Sequence, residues 1–92
     1  MTTSDNQLAV PTVHRNGTSG KELLEQMMDA RSAVHDAIKA VQNTCPNGRD
    51  YYVQGNNATQ EAIRQHTARL VALEKVYREL GEIAEAIVDQ DT

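Results

Sequence analysis

The chain has 92 residues, enough for one small domain. Thirteen acidic residues against nine Lys and Arg give a formal charge of -4 and a pI near 5.2. That balance argues against a broad phosphate-binding surface, so no DNA or RNA partner is expected.

Residues 1–7 read as a polar, disordered tail. They lack the apolar core of a secretory signal, and no later stretch is apolar enough to span a bilayer. The expectation is a cytoplasmic protein with no membrane partner. The lone cysteine, Cys45, allows no intrachain disulfide and fits a reducing compartment.

Residues 8–19 are predicted to be an extended arm and a turn. Pro11 disfavours a helix there, and Leu8, Val10 and Thr12 alternate with Ala9, Pro11 and Val13. Such an arm can lie along a helix or pair with the arm of another chain. Asn16-Gly17-Thr18-Ser19-Gly20 then turns the chain into a helix start. Ser19 and Glu22 have the spacing of a capping box, in which the hydroxyl accepts from an early backbone N–H.

The first helix is predicted over 20–43. Leu24, Met27, Val34, Ile38 and Val41 recur at steps of three and four, the signature of a heptad seam. Arg31 falls on that seam, where an acid of a facing helix is its expected partner. Cys45-Pro46-Asn47-Gly48 stops the helix and opens a loop over 44–56, with a second turn at Gly55-Asn56-Asn57. The loop exceeds the usual ~2–8 residues of a helical hairpin, and spare loop length more often serves binding than packing.

The second helix is predicted over 57–89. Its seam is Ile63, His66, Leu70, Leu73, Tyr77, Leu80, Ala84 and Ile87, widened by Val76, Ile83 and Val88. Gly81 costs ~1 kcal/mol relative to Ala inside a helix, which close approach of another backbone would offset. The fold class is therefore all-α: a long antiparallel two-helix hairpin with an extended N-terminal arm. Without Trp or Phe, its core rests on aliphatic residues. Two helices cannot cover a stripe this wide, so the hairpin is expected to associate into a helical-bundle homo-oligomer.

Familiar catalytic signatures fail on inspection. Arg15 stands where a phosphate-loop motif needs its first Gly, and Glu22 where it needs Ser or Thr. His14, His35 and His66 have no helical zinc spacing among themselves or with Cys45. No metal, no cofactor and no enzymatic activity are expected.

Two polar clusters remain as candidate binding elements. One is His14, Asn16, Thr18, Ser19 and Lys21, where hydroxyls, a Lys and the positive end of a helix dipole suit an anion. The other is Asn47, Arg49, Tyr51 and Tyr52, with His66 and Arg69 close behind on the second helix. Arg offers a planar fork to phosphate, and Tyr can stack on a base. Ordinary capping explains much of the first cluster. In the second, the tyrosines could simply plug the hairpin end while Arg49 pairs with Asp50. The two clusters fall at opposite ends of an antiparallel hairpin. Only an antiparallel oligomer would join them, between chains.

Pro11-Thr12-Val13-His14, Asn16-Gly17-Thr18-Ser19, Leu23-Leu24 and Pro46-Asn47-Gly48-Arg49-Asp50-Tyr51-Tyr52 with Gly55 resemble a family of short helical proteins of bacteriophage and prophage genomes. The resemblance spans most of residues 10–88 and does not define an activity. In size, acidity and expected assembly the chain is also similar to phage sponges that sequester nucleotide immune signals. The resemblance implies a phage-encoded, non-enzymatic binding protein in the host-cell cytoplasm that takes up a small nucleotide-type ligand to counter host defence. The alternative is a protein–protein interaction module: an inhibitor of a host defence protein or a virion accessory protein. It would work through its helical surface, including the acidic end at Glu79, Glu82, Glu85, Asp89 and Asp91.

Overall fold

The computed structural model describes residues 8–90. The predicted tail over 1–7, and Asp91 of the acidic end, lie outside the described residues. Two long helices, α1 (Gly20–Gln42) and α2 (Ala58–Gln90), pack against each other, and no strand occurs among the described residues.

Local chemistry sets the helix ends. Ser19 is extended at φ -62° and ψ 151°, and its hydroxyl accepts the Glu22 N–H at 3.1 Å. Glu22 in the first turn and Lys39 in the last complement the helix dipole. At the other end the Asn43 N–H is shared between the Lys39 and Ala40 carbonyls, at 3.3 and 3.2 Å. The Thr44 hydroxyl takes the Val41 carbonyl at 2.7 Å. Pro46, with no N–H to donate, keeps the helix from resuming. Asn43 is thus a cap, where the hydrophobic spacing alone extends the helix through it. At the start of α2, Asn57 lends its carbonyl to the Glu61 N–H at 3.0 Å but stands outside the helix.

The connection is ordered by two 3₁₀ turns, Gly48–Asp50 and Tyr52–Gln54. The Asn47 side chain opens the first by accepting from the Arg49 N–H at 3.0 Å. Gly55 closes the second at φ 128°, a conformation that side chains with a Cβ rarely adopt.

Arg31 of α1 faces Gly81 and Tyr77 of α2, while His35, one turn later, also faces Tyr77. Rising numbers on one helix therefore meet falling numbers on the other, and the hairpin is antiparallel. Four described side chains are buried: Ile38, His66, Ala84 and Ile87. The other seam residues, among them Leu24, Met27, Val34, Leu70, Leu73 and Leu80, are half-buried. The radius of gyration is 18.6 Å, against about 12 Å for a compact chain of this length. Met28, Tyr52, Val53, Ile63, Val71, Val76 and Val88 remain exposed.

The N-terminal arm lies against the end of α2. The Val13 N–H donates to Gln90 Oε1 at 2.8 Å, and Gln90 Nε2 donates to the Pro11 carbonyl at 2.9 Å. One side-chain amide thus serves two backbone groups, as a neighbouring strand would. Leu8, Pro11 and Val13 are half-buried while Ala9, Val10 and Thr12 are exposed, so the arm departs from simple alternation.

Candidate functional site

The first cluster surrounds the N-terminus of α1. The Gly17 N–H donates to the His14 carbonyl at 3.1 Å, closing the turn. The His14 ring lies over Gly17 so closely that a Cβ there would stand 2.7 Å from its Nε2. Asn16, Thr18 and Lys21 are exposed, and Ser19 is engaged as the cap. The Lys21 amine forms no ion pair with a described residue.

The second cluster occupies the closed end. Tyr51 is half-buried, whereas Tyr52 is 70% exposed and Val53 76%. Tyr52 rather than Tyr51 is therefore the ring free to stack. Arg49 and Asn47 are exposed, and Arg49 makes no ion pair with Asp50. The first 3₁₀ turn lies beside the first turn of α2, with Thr59 Cγ2 3.8 Å from where a Cβ on Gly48 would stand.

Behind the loop, His66 and Arg69 diverge. His66 is 5% exposed and turned into the hairpin, while Arg69 is exposed. Three residues along a helix rotate a side chain by roughly 60° from its starting face, enough to separate a seam position from the surface. Arg69 is open to solvent, about 16 Å along α2 from its first residue, and His66 is not. Nearby, Glu61 accepts from Arg64 Nε at 3.0 Å, again from Arg64 Nη2, and from Gln65 Nε2 at 3.0 Å. The Arg64 contact, followed by Gln65, lowers the Glu61 pKa to about 2 and raises that of Arg64. Arg64 is thereby committed to Glu61, and Arg49 and Arg69 have no ion-pair partner among the described residues.

The length of α2 separates the clusters. Its 33 residues span about 50 Å at 1.5 Å per residue. The arm stays at the far end, held by Gln90, so one chain cannot bring Lys21 and Arg49 to the same small ligand.

A third constellation lies midway. The Arg31 guanidinium carbon sits 4.0 Å from the Tyr77 ring centroid, a cation–π contact, and His35 flanks the same ring at 5.8 Å. Arg31 forms no salt bridge with a described acid, in place of the acidic partner expected from its seam position. A Cβ on Gly81 would stand 2.8 Å from Arg31 Nε. The close approach that a helical glycine implies is thus made by this side chain and not by a backbone. A charged seam residue opposite a glycine was the signal for it; the aromatic partner was hidden among ordinary seam positions. Clefts open on both sides of Arg31. One, of about 230 Å³, is lined by Met28, Arg31, Ser32, His35 and Tyr77. The other, of about 420 Å³, is bordered by Arg78, Gly81, Glu82 and Glu85 as well as Arg31 and Tyr77.

No group of three or more potential metal-ligating side chains occurs among the described residues, nor any helix long and apolar enough to cross a membrane. Comparison with protein-family models, curated proteins and solved structures finds no match to this chain.

Proposed function

We propose that this chain is a non-enzymatic binding protein that acts as a homo-oligomer and sequesters a small nucleotide-type ligand between subunits. The observation that carries the reading is the closed end of the hairpin. There a 70%-exposed Tyr52 stands three residues from Arg49, a cation with no described ion-pair partner. An exposed ring and an exposed guanidinium fork in the same loop could serve a base and its phosphate. Asn47 and Arg69 would add polar contacts. In an antiparallel assembly, Asn16, Thr18 and Lys21 of a second chain would complete the wall.

Self-association is supported by the small number of buried side chains and by the exposed Val71, Val76 and Val88 along α2. By its similarity in size, acidity and expected assembly to phage sponges, the ligand would be a nucleotide immune signal and the role would be anti-defence.

Calorimetric titration with cyclic dinucleotides, cyclic trinucleotides and ADP-ribose-type signals is the test. A Kd below about 100 µM, near -5.5 kcal/mol, is expected for at least one, and its loss in the Arg49→Ala/Tyr52→Ala double variant. Failure of all three classes ends the sponge reading.

The exposed Val71 also favours a second reading, a protein-binding patch on α2. That module would tolerate Arg49→Ala/Tyr52→Ala and lose its partner on Val71→Glu.

A further inference from the structure

The middle of the hairpin holds a cation in an unusual state. The Arg31 guanidinium lies between the Tyr77 ring and the backbone of Gly81. Its Nε is buried and has no hydrogen-bond partner. A buried, unsatisfied donor carries a desolvation penalty, and the penalty is larger on a charged group. Arg31 has no carboxylate within ion-pair distance among the described residues. The ring covers a face and Gly81 packs against the Nε side, which leaves the Nη1 side of the guanidinium for an acceptor.

The two flanking clefts differ in charge. Glu82 and Glu85 border the larger one and disfavour an anion there. The smaller has no acid in its wall and offers Ser32, His35, the Tyr77 ring and the thioether of Met28, which is 45% exposed. Its volume of about 230 Å³ is below the roughly 300–1,000 Å³ of drug-sized ligand sites. It suits one small anionic group on a short apolar stem, not a dinucleotide.

We infer that the cleft at Met28, Arg31, Ser32, His35 and Tyr77 is a binding site for a small carboxylate with a short apolar stem. The carboxylate accepts from the guanidinium edge of Arg31 and from the Ser32 hydroxyl. The stem lies against Met28 and the Tyr77 ring. This site is separate from both loop clusters and stands whether or not a nucleotide binds there.

The probe is sodium butyrate, titrated into the full chain while the Arg31 Nε–H signal is followed by NMR, with sodium chloride as the ionic-strength control. The expected result is a saturable shift that chloride does not reproduce. Arg31→Lys keeps the charge but loses the fork, and should weaken binding by about tenfold when followed through Tyr77 ring signals. Ser32→Ala is exposed in the helix and should fold normally, with binding several-fold weaker. Three results would overturn the inference. One is a linear, unsaturated shift that chloride matches. Another is unchanged butyrate affinity in both variants. The last is an Nε–H signal that moves with protein concentration and ignores butyrate, because the acceptor would then be an acidic side chain of a second copy.

Discussion

The two ends of the hairpin are built on different principles. The open end is closed by apolar packing and a strap: Ile87 is 1% exposed, Ala84 is buried beside it in sequence, and Gln90 holds the arm at Pro11 and Val13. The loop end has Ile38 and a buried histidine, His66, while Tyr52 and Val53 point to solvent. Apolar side chains are exposed at both ends, but less at the open one, where Val10 is 37% and Val88 43% exposed, than at the loop, where Tyr52 is 70% and Val53 76% exposed. That contrast favours the loop end as the place where something binds, and the open end as the one that holds the chain together.

The sharpest way to break the contrast is Ile87→Ala. Emptying the most deeply buried position should cost about 3 kcal/mol, read from chemical denaturation. The exposed Val53→Ala at the loop end should change stability by less than about 0.5 kcal/mol. Equal losses would abolish the distinction between the ends.

Gln90→Ala probes the strap. Loss of its two hydrogen bonds should cost about 1 kcal/mol and speed amide exchange at Val13, while leaving exchange in α1 unchanged. Protection at Val13 that survives the change would mean that the arm is held by its own packing.

Gly81→Ala tests the middle. A Cβ would meet Arg31 Nε at 2.8 Å and push the guanidinium from the Tyr77 ring. The gain in helix propensity, ~1 kcal/mol, offsets the lost cation–π contact of ~0.5–1 kcal/mol. Thermal stability should barely move, whereas the Arg31 side-chain NMR signals should lose the ring-current shift from Tyr77.

The smallest effect is electrostatic. Glu61 is held at about 2 against an ordinary 4.5. Because the folded value is the lower one, the stabilisation is complete above about pH 4.5 and is lost as pH falls toward 2. Stability followed from about pH 5 downward should fall less steeply in Glu61→Gln than in the parent. Both partners are exposed, so the difference will be slight.

The helices were legible in the sequence because their seams repeat at three and four and their ends carry Ser19, Pro46 and Gly55. The loop was legible only in outline. That Tyr52 points outward and Tyr51 inward depends on the two 3₁₀ turns, whose short hydrogen-bonded rings leave no periodic pattern to read. The seam spacing locates Arg31 but not its partner, which is an aromatic ring. An acid was expected because charges inside proteins are usually paired. The ring of Tyr77 does that work here, since Gly81 lets the guanidinium lie flat against α2. His66 falls on the seam by spacing and is buried, which separates it from Arg69 although one turn joins them. How the two polar clusters relate follows from the length of α2, and joining them requires a second chain.

The proposed site between subunits needs that second chain. Analytical ultracentrifugation at micromolar concentration tests it most directly. The prediction is a folded species whose mass is an integer multiple of 10.2 kDa, two or greater. A single 10.2 kDa species that retains full helicity by circular dichroism would contradict it.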